Sequence, residues 1–409
     1  MTVSSGRQSG SRVGIIWRHG HKKFVGRVRL TALVCSALAG LTPVYGIAAD
    51  WSLNTYAVAT AEYNDNKRLV LEEHETATGG IVDVGLGLGR QTETNKFVIK
   101  PRLRSSRYDG EEGLDSDDQY VESLYEHYTE RSEYTFNIDY TRDSPLTSEF
   151  QDVEFVQVNK RRETWRTNPV WAYQVTERLS TNLGAGYTDV TNEDSERTGL
   201  IDYTYTSAFA GMSYAASEYT QIGMTLYGSR LQAPATQNET DDTGIRLSLW
   251  YSVFESLSFH AKFSWHKSTV KIGHGGDIFT DTRRGRLLDL EVVKKFENGR
   301  ISLSARNEIE PGSLGTLEQR DRYMADLSYR LTGRTNAGFQ LRNTIISDAT
   351  DNAAFEEWEY RQVICELVYR TAPNVYLSGA YRYSWKKYEI LDNEAESSAV
   401  LLSLRYQNL

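Results

Sequence analysis

The chain has 409 residues, with 46 Lys and Arg against 55 Asp and Glu and a formal net charge of −9. Hydrophobic residues make up 39% of it, which is too low for a protein with several membrane-spanning helices. They are spread too evenly for a disordered chain. The 26 Tyr and 31 Gly, against 4 Met and 7 Pro, are more typical of strands than of helices. Two classes remain, a soluble β protein and a membrane β-barrel.

The first 49 residues differ from the rest of the chain in charge and in the placing of apolar residues. They contain seven basic residues and no Asp or Glu, followed by the apolar run 30–40. Pro43 and a segment rich in small residues, 46–49, come next. A basic segment, a short apolar core and small residues before a cleavage point are the three parts of a secretory signal peptide. The sequence therefore predicts an exported protein.

We place the signal peptide at residues 1–49, with cleavage after Ala48 or Ala49, and the mature chain at residues 50–409. The alternative is a membrane-anchor helix. Against it, the apolar run is short for a membrane span and is broken by Gly40.

The mature chain is more acidic than the whole. Removing the seven basic residues of the signal peptide leaves 39 Lys and Arg against 55 Asp and Glu, a formal charge of −16. Such a chain repels the phosphates of nucleic acids, so we expect no nucleic-acid partner. Cys365 is the one cysteine left, which excludes an intrachain disulfide. An exported protein of this kind needs another source of stability, and the hydrogen-bond ladder of a closed barrel is one.

Alternation with period 2 is the main structural signal of the mature chain. In the first clear segment, four apolar residues from Val82 to Leu88 alternate with Asp83 and glycines. Segments of this kind, about nine to thirteen residues long, indicate strands with one apolar face. The pattern recurs around 97–104, 134–140, 183–187, 245–251, 259–265, 301–305, 323–329, 339–341, 363–369, 375–383 and 400–406.

The connections between these segments fall into two classes, which alternate strictly along the chain. The tight ones lie at 93–95, 130–132, 176–178, 216–218, 254–256, 297–299, 332–334 and 372–374. The long, acidic ones lie at about 64–75, 109–118, 143–155, 190–200, 232–242, 272–282, 310–321, 346–356 and 387–397. Outer-membrane barrels have short turns on one side and long loops on the other, with an even number of strands. The sequence therefore predicts an all-β, antiparallel, up-and-down transmembrane barrel of eighteen strands, with sixteen as the next choice.

Membrane physics favours this barrel over the soluble alternative. In hydrocarbon every backbone polar group needs a partner, so only helices and closed barrels can span, and no helix candidate follows the signal peptide. Tyr and Trp gather at predicted strand ends, as at Tyr187, Trp265 and Tyr369, which is typical of interfacial aromatic girdles. A soluble sandwich would also alternate, but its connections are rarely so regularly unequal. We therefore expect residues 50–409 to lie in a bacterial outer membrane.

If the apolar positions face lipid, the positions between them line the lumen. The predicted pore-lining residues are Lys100, Arg102, Arg104, Arg246, His260, Lys262, His266, Arg306, Arg330, Arg342, Arg382 and Arg405. Acidic residues at matching positions are Asp139, Asp289, Glu291, Glu308, Asp326 and Glu366.

The cations at 100, 102 and 104 share one strand face and repel each other unless carboxylates or an anionic solute neutralise them. Two interpretations stay open. One is an anion-attracting stripe along a pore, and the other is a ladder of salt bridges that fills the barrel.

Motifs for metals and catalysis are sparse. The stretch 109–118 holds six carboxylates but lacks the ligand spacing of a calcium loop, so a solvated acidic loop is the favoured interpretation over a calcium bridge. The histidines of the mature chain show no metal-binding spacing, and no nucleophile elbow or phosphate loop is present. We therefore predict no cofactor, no metal and no enzyme activity. A barrel hydrolase would need a Ser or Asp beside His260 at one rim.

Several stretches carry a family resemblance. They are TAEYNDN at 60–66, SYAASEY at 213–219, PGSLGTLEQRDR at 311–322 and LSYRLTGR at 327–334. With them, most of residues 51–409 resembles outer-membrane proteins of the "β-barrel porin 2" kind, which are often encoded with exopolysaccharide biosynthesis or PEP-CTERM sorting systems. The resemblance implies an envelope location and a link to a surface polysaccharide.

The predicted function is a porin-like outer-membrane channel, or an accessory, for export of an anionic or neutral surface polysaccharide. Its expected partners are outer-membrane lipid, lipopolysaccharide and envelope export components. The alternative is a non-conducting structural or adhesion barrel whose extracellular loops bind ligands. A barrel hydrolase is less favoured.

Overall fold

The structure is a computed structural model, and it describes residues 49–71, 74–110, 113–144, 159–274, 277–313, 315–348, 357–388 and 393–408. These residues belong to one compact unit that begins at Ala49. All but the last residue of the predicted signal peptide lies outside the described residues, as do most of the predicted loops 143–155 and 346–356. Within the described part, no helix is both long and apolar enough to cross a membrane.

Strands make up nearly all of the described chain. They are β1 (Asp50–Asn64), β2 (Ala77–Gln91), β3 (Asn95–Asp109), β4 (Ser116–Tyr128), β5 (Ser132–Asp143), β6 (Arg162–Gln174), β7 (Leu179–Asn192), β8 (Tyr203–Ser217), β9 (Thr220–Ala233), β10 (Asn238–Phe254), β11 (Leu257–His274), β12 (Asp277–Phe296), β13 (Gly299–Pro311), β14 (Leu317–Arg330), β15 (Thr335–Asp348), β16 (Trp358–Ala372), β17 (Val375–Tyr388) and β18 (Asn393–Asn408). A single helical turn, α1 (Ser195–Thr198), precedes β8, and a 3-10 turn (Pro234–Thr236) joins β9 to β10. The predicted number of eighteen strands is confirmed.

The sheet closes on itself. Each strand pairs antiparallel with its neighbours in the chain, and β1 pairs with β18 from Thr55↔Asn408 to Asn64↔Ala399. Closure gives the backbone polar groups of the first and last strands a partner, which a bilayer requires. The predicted closed antiparallel barrel is confirmed.

The predicted connections are right at one end of the barrel and partly wrong at the other. All eight tight turns lie where the sequence places them. The long loops predicted at 232–242, 272–282, 310–321 and 387–397 are wrong, because most of the residues in each belong to the two flanking strands. Polar side chains there form cross-strand pairs, such as Lys271 Nζ with Glu239 Oε1 at 2.6 Å. Strands that rise beyond the apolar band are polar on both faces, and their sequence therefore resembles a loop.

The outward faces of the strands carry the apolar and aromatic residues. Val82, for example, is 53% exposed on the outside of the barrel. The rings of Tyr134 and Trp171 lie 6.4 Å apart near the tight-turn end, and those of Tyr140 and Trp165 lie 4.6 Å apart nearer the long-loop end. Two aromatic levels on the outer surface match the interfacial girdles of a membrane barrel.

One hairpin leaves the wall. β12 and β13 pair only between Phe296↔Gly299 and Asp289↔Arg306, whereas β13 stays paired with β14 as far as Pro311↔Leu317. We call residues 307–321 the inner hairpin, because its tip contacts the inner face of strands that are not its sheet neighbours. Leu317 is buried against Leu231 and Ala233 of β9, and the Ile201 backbone N–H donates to the Ser313 carbonyl at 3.2 Å. The inner hairpin therefore crosses part of the lumen.

Candidate functional site: a basic chamber in the lumen

The strand register places all twelve predicted pore-lining side chains at inward-facing positions. Five of them, Arg102, Arg104, Arg342, Arg382 and Arg405, border one cavity of about 740 Å³. This cavity, the basic chamber, lies between β1–β3 on one side and β15–β18 on the other. The structure thus brings together cations from both ends of the chain, as β1–β18 closure requires.

The charges around the basic chamber are unbalanced. Its lining contains six cations and two carboxylates: Lys67, Arg102, Arg104, Arg342, Arg382 and Arg405 against Glu62 and Asp83. A concave wall of one predominant charge raises the local concentration of ions of the opposite sign. The chamber is therefore suited to small anions or to an acidic chain.

Arg102 belongs to the neutralised part of this wall. Its Nε donates to Asp83 Oδ1 at 3.0 Å and its Nη2 donates to Asp83 Oδ2 at 2.5 Å, and its guanidinium lies over the ring of Tyr120 at 4.8 Å. The bidentate geometry is that of a strong charge-assisted pair. The sequence left two interpretations of the cations at 100, 102 and 104 open. At Arg102 the structure agrees with the salt-bridge ladder. Lys100 lies nearer the tight-turn end, opposite Glu122 in the register.

Arg104 and Arg405 belong to the free part of the wall. Among the described residues, no carboxylate lies within ion-pair distance of either side chain. The Nε of Arg104 is buried, and no group in the described part of the chain is its hydrogen-bond partner. A buried donor left without a partner costs about 1–3 kcal/mol. An anion in the chamber would supply what both guanidinium groups lack.

Glu62 anchors the outer mouth of the chamber. This carboxylate is 3% exposed and accepts hydrogen bonds from Lys67 Nζ at 2.9 Å, Arg382 at 2.6 Å and the Tyr108 hydroxyl at 2.7 Å. The connection between β1 and β2 folds into the barrel, where Leu69 is fully buried. Sequence reasoning missed Glu62 and Lys67. The alternation of β1 marks Glu62 as inward, but nothing in the sequence shows that the following loop turns inward.

A second basic cavity, of about 650 Å³, adjoins the chamber through Arg342, which borders both. Its charged lining is Arg162, Arg166, Arg306, Arg320, Arg322, Arg342 and Glu310. Part of this charge is balanced within the inner hairpin, since Arg322 lies 2.6 Å from Glu310 and Arg320 lies 3.0 Å from Glu318. The two cavities are therefore both predominantly basic, and Arg342 lies between them.

The other side of the inner hairpin is acidic. A cavity of about 460 Å³ lies there, between the hairpin and the wall of β7–β12. Its charged lining is Asp242, Asp289, Glu308, Glu310, Arg246 and Lys262. Lys262 is held by Asp289 at 2.7 Å. We call this cavity the acidic recess. The inner hairpin therefore separates a basic region of the lumen from an acidic one, an arrangement that the sequence did not reveal.

His266 is inward-facing but buried, at 7% exposed, so its prediction as a residue that lines an open pore is corrected. Its Nδ1 lies 3.0 Å from Asp242, and the Ser268 hydroxyl donates to the same carboxylate at 2.5 Å. A catalytic triad needs the serine on the ring nitrogen opposite to the acid. Here both partners lie on the Nδ1 side, while Nε2 lies over Gly285. The cluster is a structural network.

The structure also places two other predicted features, Arg330 and the acidic stretch 109–118. Arg330 lies at the tight-turn end, where its guanidinium reaches the Glu297 carbonyl at 3.5 Å. In the acidic stretch 109–118, Asp118 is buried and paired with Arg161 at 3.0 Å, which a fully solvated loop does not allow. In the part of the chain that the structure describes, no group of three His, Cys, Asp or Glu side chains is placed to hold a metal ion.

Comparison with known proteins gives a fold and no family. No family model matches the sequence, and no curated protein matches it. Among solved structures, a BenF-like porin from Pseudomonas fluorescens Pf-5 is 11% identical, with a TM-score of 0.50 over 89% of this chain and 100% of that one. OpdL from Pseudomonas aeruginosa is 11% identical, with a TM-score of 0.47 over 88% of this chain and 99% of that one. The first likeness shows a shared outer-membrane barrel fold.

Proposed function

We propose that this protein is a porin-like channel of the outer membrane that conducts anions through the basic chamber. The main support for this proposal is the charge of the chamber lining, which has six cations and two carboxylates. Among the described residues, Arg104 and Arg405 form no ion pair. Conduction needs contacts that attract a solute and release it again. Separate guanidinium groups along a wetted wall are suited to such weak, repeated contacts.

The proposed substrate class is an acidic surface polysaccharide, exported as an extended strand. Two features support it: the sequence resemblance to barrels encoded with exopolysaccharide systems, and the two adjacent basic cavities of the lumen. Carboxylates repeated along a sugar chain would meet successive arginines of the two basic cavities. The signal peptide predicted at 1–49 would deliver the chain to the envelope.

Recording from the purified barrel in planar lipid bilayers tests this function. Under a salt gradient, the reversal potential is expected to show a preference for chloride over potassium. An acidic polysaccharide added on one side is expected to block the current at concentrations where a neutral polysaccharide of equal length has no effect. Absence of conductance, or equal blockade by both polymers, would contradict the proposal.

The second candidate is a barrel that does not conduct and whose loops bind a partner. The inner hairpin favours it, because Leu317 and Leu231 pack against each other inside the lumen. The loop carrying Leu69 also fills part of the mouth. Under this alternative, the same bilayer recording shows no current at any salt concentration.

Lys67 gives the channel an expected pH dependence. Burial lowers the pKa of this loop lysine to about 8, although its ion pair with Glu62 opposes the shift. Its charge is therefore present below pH 8 and lost above it. As the pH rises through 8, the basic chamber loses one cation and anion selectivity is expected to fall. Reversal potentials measured from pH 6.5 to pH 9.5 at constant ionic strength check this.

Lys67→Arg is the matched variant for that measurement. Arginine keeps its charge over this pH range, so the step near pH 8 is expected to disappear. A step of equal size in the arginine variant would mean that another group titrates and that the assignment to Lys67 is wrong.

A further inference from the structure

Three cations face outward near the long-loop end of β11 and β12: Lys267, Arg284 and Arg286. All three side chains are exposed. The register sets Lys267 opposite Arg284, and Arg286 opposite Trp265. Trp265 and Leu288 share the same outward face and are 43% and 46% exposed. The three cations, which we call the cation patch, therefore begin where the lipid-facing apolar residues of these strands end.

The cation patch differs from the other outward charges at this end of the barrel. On the nearby strand β9, Arg230 is paired with Asp241 of β10 at 2.6 Å, and further along β11 itself Lys271 is paired with Glu239 of β10 at 2.6 Å. Further round the barrel, Arg142 lies 3.2 Å from Glu163. In contrast, none of the three patch cations has a carboxylate within ion-pair distance among the described residues.

Two features of the fold keep the patch without an internal counterion. Like charges directly opposite each other on adjacent strands are destabilising, and Lys267 and Arg284 are such a pair. The departure of β13 from β12 above Asp289 also removes the strand that would otherwise supply a partner to Arg284 and Arg286. With no carboxylate of the described residues within ion-pair distance, an external anion is a suitable counterion for the patch.

We propose that the cation patch binds the phosphate groups of a lipopolysaccharide molecule in the outer leaflet. At the upper edge of the apolar band, the adjacent anions are phosphates of lipid headgroups. Guanidinium groups match phosphate geometry through paired N–H donors, and two of the three patch residues are arginines. Trp265 and Leu288 lie just below, where the acyl chains of the same lipid would pack. The site lies outside the barrel and is independent of conduction through the lumen.

Lipid binding to the full mature chain, refolded in detergent without lipopolysaccharide, tests the proposal. The measurements are the affinity by lipid titration and the shift in melting temperature. Wild type is expected to bind phosphorylated lipopolysaccharide and to melt several degrees higher with it. Lys267→Gln/Arg284→Gln/Arg286→Gln is expected to bind at least tenfold more weakly. The charge-matched control Arg107→Gln/Arg142→Gln/Arg230→Gln removes three outward cations that already have carboxylate partners, and it is expected to bind as wild type does.

Melting without lipid separates binding from folding. The patch variant is expected to melt at or above the wild-type temperature, because the Lys267–Arg284 repulsion is gone, whereas the control variant loses ion pairs and melts lower. If the triple variant fails to fold, Arg286→Gln leaves that opposed pair intact and is expected to weaken binding about threefold. The proposal is overturned if patch and control variants lose equal affinity, or if dephosphorylated lipopolysaccharide binds as well. Equal stabilisation by inorganic phosphate would also overturn it, because the ligand is then the free anion.

Discussion

Arg104→Glu/Arg405→Glu is expected to abolish the anion preference of the channel. The lining of the basic chamber would change from six cations and two carboxylates to four of each. Both side chains lack ion pairs among the described residues, so neither replacement breaks an internal bridge. If each reversal changes the free-energy difference between an anion and a cation in the pore by roughly 0.7 kcal/mol, their permeability ratio changes about tenfold. Reversal potentials under a salt gradient measure that ratio.

Arg107→Glu/Arg230→Glu is the matched control for this prediction. It introduces the same total charge at outward-facing positions near the long-loop end of the barrel, where each arginine is partnered by an aspartate. We expect its selectivity to match wild type. If the control shifts the reversal potential as far as the chamber variant, selectivity follows the overall charge of the protein and the chamber assignment is wrong.

The fold was predictable because a membrane barrel repeats one simple pattern. Lipid on one side and water on the other impose strict alternation, as from Val82 to Leu88, and tight turns such as 93–95 end each hairpin. The errors at 232–242, 272–282 and 387–397 have the opposite origin. Above the membrane both faces meet water, so alternation disappears while the ladder continues.

For the candidate site, the sequence predicted which side chains face the lumen but not which of them form ion pairs. Period 2 places Arg102, Arg104 and Arg405 at inward positions. It does not show that Asp83 neutralises the first and that no described carboxylate reaches the other two. That difference depends on which side chains meet diagonally across strands and on the β1–β18 closure, which joins residues more than 300 positions apart. The sequence of a single strand does not show which side chains of other strands it will contact.

The inner hairpin shows a further limit of sequence patterns. Ile309 alternates with Glu308 and Glu310 as lipid-facing strand residues do, yet it packs with Leu231 inside the barrel. Apart from Leu317 of the same hairpin, the apolar residues of this cluster come from β8, the segment just before it and β9, which are not sheet neighbours of β13. Alternation reports that one face of a strand is apolar. It does not report whether lipid or another part of the barrel covers that face.

Shortening the inner hairpin is expected to raise the conductance of the channel. Glu308 and Arg320 face each other in the β13–β14 ladder, so replacing residues 309–319 by Asn-Gly closes the hairpin with a two-residue turn and keeps its register. The tip that packs on Leu231 would be gone. An eighteen-stranded barrel is wide enough for an aqueous channel when nothing fills it, so single-channel conductance is expected to rise at least about twofold.

A pair of point variants tests the same idea with the chain length unchanged. Leu317→Asp places a charge in the buried cluster with Leu231 and is expected to release the tip, which gives a conductance between wild type and the shortened chain. Leu317→Met is apolar and similar in volume, and it is expected to conduct as wild type does. Equal conductance in wild type, Leu317→Asp and the shortened chain would show that the inner hairpin does not limit the pore.

Selectivity distinguishes a widened pore from a damaged barrel. The shortened chain loses two carboxylates, Glu310 and Glu318, and no cation, while the arginines of the basic chamber stay in place. A pore widened in this way is expected to carry more current and to keep or increase its preference for anions. A leak around a misfolded wall would carry more current with no preference. Recording conductance and reversal potential on the same single channels therefore separates the two causes, because only removal of the hairpin from an intact lumen raises current without loss of selectivity.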